Sequence, residues 1–286
     1  MAGQISVIIR TYNEAKFIGR LIERLRAQQQ YGEDLEILIV DSGSTDSTTD
    51  IVKKHDVKLI SIARKEFNYS KALNLGIERS EGELVVILSA HSIPCSSDWL
   101  MKMVQHFQDE DVAGVYCRQK PWPDAEAGEV LRIEKTFGAC SKMFSRSVPD
   151  GAMRFSNAAS CVRRSVWKKH PFVMLPAAED REWSEWAIAN GYKIIYDSEA
   201  EVYHSHSESC RKATQRVIEL EKSADIRSNR RRNLLLTTKQ SVGWCIRDIR
   251  RVFSSECNGG SRIKSAVECV AKSFWYVLDF NRKIGR

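Results

Sequence analysis

The chain has 286 residues, 43% hydrophobic and 28% charged, proportions that exclude a disordered, collagen-like or coiled-coil protein. No apolar run nears the roughly 18 residues that span a bilayer, and no basic leader precedes the first apolar strand, so the expected location is the cytoplasm. The net charge of +7 is lopsided: residues 1–206 hold 26 Lys+Arg against 29 Asp+Glu, and residues 207–286 hold 18 against 8.

The first hundred residues alternate strand and helix patterns. Ile5 to Ile9 is a β-branched run fit for a buried parallel strand. Asn13 is the expected cap of a helix carrying Phe17, Ile18, Leu21, Ile22 and Leu25. Leu35 to Val40 reads as the second strand, with Asp46 or Ser47 opening the next helix. Val57 to Ile62 is the third strand, Ser70 the expected cap of a helix through Ile77, and Leu84 to Leu88 the fourth strand. Strands separated by helices imply right-handed βαβ units and an α/β fold with a mostly parallel sheet. Further on, Trp99 to Phe107 reads as helix, Val112 to Cys117 as strand and Gln119 to Asp124 as loop. Ala158 to Arg163 reads as strand, Ser165 starts a short helix, and Glu179 to Asn190 is helical. Tyr192 to Tyr196 and Glu201 to His204 read as two strands, and the last 80 residues as basic amphipathic helices. The eight cysteines form no CxxC pair, which points to reduced thiols rather than a zinc site.

Ligands of such sheets bind beyond the carboxyl ends of the strands. Three polar clusters fall there: Thr11-Tyr12-Asn13-Glu14, Asp41-Ser42-Gly43-Ser44 and Ser89-Ala90-His91-Ser92. Neither GxGxxG after the first strand nor GxxxxGK[ST] is present, which disfavours a dehydrogenase or a P-loop ATPase. An Asp at a strand end can accept from a base N–H or a ribose hydroxyl. Asp41 and Asp46 also read as turn and cap residues.

Other motifs follow in order: Phe67 to Gly76, Gly82-Glu83, Ser89 to Pro94, Asp98 to Leu100, Phe155 to Ser160 with Arg163-Arg164, Glu179-Asp180, and Val202-Tyr203-His204. This succession resembles the family 2 glycosyltransferases of the GT-A fold over roughly residues 5–206. Residues 114–138, with Arg118-Gln119-Lys120-Pro121, resemble the bacterial rhamnosyltransferase-like members that build surface polysaccharides. The resemblance implies a Rossmann-like catalytic domain over 1–206, its nucleotide-sugar half at 1–100 and its acceptor half at 101–206, followed by a helical region at 207–286. It implies an inverting glycosyltransferase using a nucleotide-diphosphate sugar and a saccharide or polyprenyl-linked acceptor. Thr11, Tyr12, Asn13, Glu14, Asp41, Ser42, Gly43, Lys71, Ser89 and Ala90 would bind the donor; Lys71 also reads as an exposed helix lysine. Asp180, beside Glu179, would be the catalytic base, and Trp183 could stack on a sugar.

The chain departs from the family where an Asp-x-Asp usually binds a divalent ion. Ser89-Ala90-His91 stands there, so His91 takes the place of the metal-binding Asp, with His204 as the second ligand and His206 as its possible substitute. Imidazole suits Mn²⁺, whereas Mg²⁺ prefers oxygen. A metal-free alternative would meet the leaving-group charge with Lys71 or Arg163. A sugar-phosphate nucleotidyltransferase lacks its Gly-rich loop here, and a non-catalytic nucleotide- or nucleic-acid-binding protein lacks any recognised motif, so no nucleic-acid partner is expected. The basic tail, with Arg227, Arg230, Arg231, Arg232, Phe253, Phe274 and Trp275, is expected to dock on an anionic membrane surface or to pair two subunits.

Overall fold

The computed structural model describes residues 4–32, 34–146, 155–205, 218–220, 222–224 and 226–227. The chain divides into two compact units. One comprises Met1–Trp122, Ile133–Leu175 and Glu179–Ser205; the other comprises Pro123–Arg132, Pro176–Ala178 and His206–Arg286. In the second unit the described residues of the tail are helical, with Ile218 and Ser223 buried. The remaining expectations for residues 206–286, including His206 and the membrane-facing stripes, lie outside the described residues.

The first unit is built on β1 (Ile5–Thr11), β2 (Glu36–Asp41), β3 (Lys58–Ser61) and β4 (Leu84–Ser89), interleaved with α1 (Ile18–Arg26), α2 (Thr48–Val52) and α3 (Tyr69–Glu78). All pairings among these four strands are parallel. Their near-continuous Val, Ile and Leu runs fit strands buried on both faces. Alternation along β1 splits the core. Val7 and Ile9 join the layer under α1, and Ile8 joins the layer under α3. Gly76 lets α3 lie against β1 and β2, since a Cβ there would meet Ile8 and Val40.

After β5 (Ile93–Pro94) and α4 (Trp99–Gln105), the sheet continues through β6 (Val112–Lys120), β8 (Ala159–Arg163) and β9 (Lys193–Tyr203). The strand order is β3-β2-β1-β4-β8-β6-β9-β5, and β7 (Lys142–Phe144) pairs with β9. Here the sheet is mixed: β8 runs antiparallel to β4 and β6, while β6 and β9 are parallel. Between β1 and β4 the winding direction reverses, which opens a crevice at their carboxyl ends. α6 (Arg164–Trp167) and α7 (Glu179–Ala189) complete the unit, and α5 (Ala127–Thr136) spans the division between the units.

Several local expectations are corrected. Tyr192–Tyr196 and Glu201–His204 are one strand, β9, because a register shift opposite Cys117 and Arg118 absorbs the residues between them. Gln119 and Lys120 belong to β6 rather than to a loop, since Val202 and Tyr203 pair with them. α1 begins at Ile18 without a side-chain cap, because Asn13 is turned into a left-handed conformation and bonds the loop after β2 instead. Asn68 caps α3 by accepting from the Lys71 amide, and the Ser70 hydroxyl donates to the Val173 carbonyl. α5, β5 and β7 were not legible in the sequence.

Candidate functional site

The loops after β1 and β2 are laced together. The Asn13 amide donates to Ser44 Oγ at 2.9 Å, and Asn13 Oδ1 accepts from the Thr45 amide at 2.8 Å. The Glu14 amide donates to Thr48 Oγ1 at 2.8 Å, and the Ala15 amide to Asp46 at 3.2 Å. Asp41 closes its own turn, accepting from the Gly43 and Ser44 amides at 3.0 and 2.9 Å and from the Ser44 hydroxyl. Gly43 sits at φ +80°, where a side chain would strain the turn. Beside these loops Tyr12 is exposed, with the Arg64 guanidinium over its ring at 3.9 Å. This is a shelf suited to a planar base.

The loop after β4 lies beside them. Ser89 and Ala90 fix it through backbone bonds to Ala158 and Arg10, which leaves His91 facing the crevice. His91 Nδ1 is 2.8 Å from Glu14 Oε1, and its ring lies near-parallel to His204, centroids 4.9 Å apart and planes inclined 11°. His204 is buried, with Nδ1 2.8 Å from Gln119 Oε1, and Gln119 in turn donates to Ser156. With Nδ1–H donating to Glu14 or Gln119, Nε2 becomes the lone-pair nitrogen of each ring. Histidine ligands are commonly oriented by such a second-shell bond. The rings are stacked, so their in-plane lone pairs run side by side, and joint ligation of one transition-metal ion requires one imidazole to turn. Among the described residues no group of three or more His, Cys, Asp or Glu is gathered to hold one, so further ligands must come from elsewhere.

Glu179 and Asp180 begin α7 on the sheet face shared by Ile8 and Arg10. Glu179 is buried, with Arg10 Nη1 3.8 Å from Oε1 and Asn157 Nδ2 at 3.4 Å. Asp180 accepts from the amides of Asn157 at 3.1 Å and Arg181 at 2.7 Å. Its carboxyl keeps a partial opening to solvent, yet the protein packed around it removes most of its water. That desolvation, together with the charge of Glu179, raises its pKa to about 7; the two amide bonds and Arg10 offset part of the effect. A carboxylate poised near neutrality suits general-base work.

Two expectations change, those for Trp183 and Arg163. Trp183 is fully buried against Phe155 and Phe172, so it is core rather than a sugar platform. Arg163 cannot meet a leaving group, because it pairs with Leu84 at the opposite end of β4 and donates to the carbonyls of Val112, Phe107 and Asp109. Lys71 is an exposed helix lysine whose Nζ lies 3.8 Å from Glu66. Arg10, Gln119 and Asn157 went unassigned in the sequence, although each lies within or beside a quoted motif. Thr11 Oγ1, Ser42 Oγ, Ser92 Oγ and two Arg10 nitrogens are buried with no hydrogen-bond partner among the described residues. Native interiors rarely leave such groups unsatisfied outside functional sites. Cys95, Cys117, Cys140 and Cys161 form no disulfide.

The mixed sheet, parallel from β1 to β4 with a crevice at its strand reversal and continued through β8, β6 and β9, is that of a GT-A glycosyltransferase. The profile of the family described as Glycosyl transferase family 2 matches residues 6–169, and the chain belongs to that family. It is similar to an O-antigen chain rhamnosyltransferase of Salmonella typhimurium, 28% identical over 76% of this chain and 71% of that one. Another from Salmonella anatum is 30% identical over 75% of this chain and 70% of the relative. Its fold is similar to a Pyrobaculum calidifontis mannosyltransferase solved with GDP-mannose and Mn²⁺ (TM-score 0.65, 16% identity, 98% of this chain and 88% of that one).

Proposed function

We propose that this glycosyltransferase inverts the anomeric centre of a nucleotide-diphosphate sugar and delivers the sugar to a saccharide or polyprenyl-linked acceptor of a bacterial surface polysaccharide. The observation that carries the reading is Asp180, clamped by two amides in a desolvated site and poised to take a proton near pH 7. Asp180 accepts the acceptor hydroxyl proton, and the acceptor oxygen forms its bond to the anomeric carbon. The bond from that carbon to the diphosphate oxygen breaks, and its electron pair leaves with the nucleoside diphosphate. Thr11, Tyr12, Asn13, Glu14, Asp41, Ser42 and Gly43 hold the nucleoside, and Ser89 and Ala90 line the path to the diphosphate. His91 and His204 would hold a divalent ion, Mn²⁺ more readily than Mg²⁺, and that ion supplies charge neutralisation of the departing diphosphate. The Salmonella relatives are O-antigen rhamnosyltransferases, which supports a surface-polysaccharide role. No helix among the described residues is long and apolar enough to cross a membrane; the basic residues 207–286 are proposed to bring the catalytic region, residues 1–206, to the membrane surface or to a second copy.

The test is Asp180→Asn. Turnover should fall by roughly two to four orders of magnitude while donor-induced thermal stabilisation persists. Near-normal transfer by this variant would overturn the assignment.

A further inference from the structure

Arg10, Arg163 and Arg164 are all half-buried but are treated differently. Arg163 donates to three backbone carbonyls, and Arg164 to the Ile77 and Gly82 carbonyls and to Ser80 Oγ, so each guanidinium has a structural role. The Arg10 side chain is 13% exposed, yet its Nε and Nη1 are buried with no hydrogen-bond partner among the described residues. A buried cation without hydrogen bonds is costly to hold, and such a cost is retained where the charge itself is needed. Its neighbours are the face of Tyr69, whose ring centroid lies 5.0 Å from the guanidinium carbon, and Glu179 Oε1 at 3.8 Å from Nη1.

The position of Arg10 follows from β1. Strand alternation puts it on the face of Ile8, one residue before the strand ends, in register with Val40 on one side and Ser89 on the other. That face is covered by α3 and by the start of α7, so the guanidinium enters between Tyr69 and Glu179. Among the described residues around the carboxylate pair, Arg10 is the counter-charge. Asn157, preceding β8, contributes neutral donors only. On α7, Arg181 gives Asp180 its backbone amide and turns its guanidinium to Glu185 at 2.7 Å, while Glu182 faces His170. Tyr69 of α3 sets its ring face toward Arg10.

We propose that Arg10 is a positioning residue for the transfer reaction: it compensates the charge of Glu179, so that the adjacent Asp180 can stay anionic and act as the base. The inference rests on the reading of Asp180 as base. Two neighbouring carboxylates and one guanidinium carry a net charge of −1 in a desolvated site. Without the guanidinium the site holds −2, and one carboxylate keeps its proton to higher pH. Because desolvation and the charge of Glu179 already raise the pKa of Asp180 while Arg10 lowers it, Asp180 is the one whose proton-accepting capacity is lost.

The experiment is the pH profile of kcat at saturating donor and acceptor for the full chain, its Arg10→Met and Arg10→Lys variants, and Glu179→Gln. Arg10→Met should move the acid limb upward by about one unit and recover most of its loss at high pH. Arg10→Lys should keep the limb near that of the parent. Glu179→Gln should move it downward, and the Arg10→Met/Glu179→Gln double variant should bring it back toward the parent. A pH-independent loss in Arg10→Met, or a raised donor KM with an unmoved acid limb, overturns the proposal. If Arg10→Met does not fold, the Glu179→Gln profile decides, and an unmoved limb overturns it. An inactive Asp180→Asn alongside unmoved limbs sinks this inference alone, whereas an active Asp180→Asn sinks the base assignment with it.

Discussion

In the loop after β2, Asp46 accepts from the Thr48 hydroxyl, the Thr48 amide and the Ala15 amide. Desolvation pushes its pKa up, but these hydrogen bonds together outweigh it and hold the carboxyl below its usual range. Asp180, at the same sheet edge, also accepts from two amides, yet desolvation and Glu179 carry it the other way, to about 7. Both residues are aspartates beside a helix N-terminus, and both are bonded by amides. What separates them is water and like charge. An open loop lets three donors dominate and makes a rigid support, whereas a crowded pocket with a second carboxylate makes a proton acceptor. The first region is a hydrogen-bonded loop; the second is a carboxylate whose protonation changes near neutral pH.

The largest expected break in this comparison is at the histidines that lie between the two regions. His91→Asp should move metal preference from Mn²⁺ toward Mg²⁺ by about tenfold in the ratio of activities, because it trades an imidazole for hard oxygen. It should also raise metal dependence, since the new carboxylate faces Glu14. An unchanged ratio, or full activity of the parent in excess EDTA, would exclude His91 as a ligand.

Asp41→Ala should come next. It strips the turn of an acceptor for two amides and a hydroxyl, at a cost of about 1–3 kcal/mol. That corresponds to a fall of about 3–8 °C in Tm, and donor binding should weaken with it. An unmoved melting curve would show that water replaces the carboxylate.

Asp180→Asn should act on stability with the opposite sign. The native pKa of Asp180 is raised, so its stability contribution is intact below the unfolded value near 4 and is lost as pH rises through about 7. The Asn variant should therefore match the parent near pH 4 and exceed it by about 2–6 °C in Tm above pH 7. A gain of equal size at both pH values would contradict the raised pKa. The smallest effect belongs to Lys71→Ala: its Nζ pairs at 3.8 Å across an exposed surface, so the change in stability should stay within about 0.5 kcal/mol. A tenfold loss of donor affinity would return Lys71 to the diphosphate.

The parallel half was legible because β-branched runs and helical spacing agree with burial there, residue by residue. The motif order placed Asp41, His91, Asp180 and His204 at one edge, and His91 and His204 do meet. The mixed half was less legible. β9 reads as two strands because the residues at its register shift break the apolar pattern, while its pairing to β6 is non-local.

Periodicity and the polar motifs at strand ends determined the fold class and the edge where the crevice lies, while the candidates Asp180 and His204 came from the family resemblance. Only the tertiary structure decided what each side chain does. Trp183 went to the core, Arg163 to the far end of β4, and Arg10 to the charge of Glu179. The physical reason is that desolvation and charge pairing depend on neighbours 77 to 169 positions away, as in His91 with Glu14 and Glu179 with Arg10, and no local pattern encodes them.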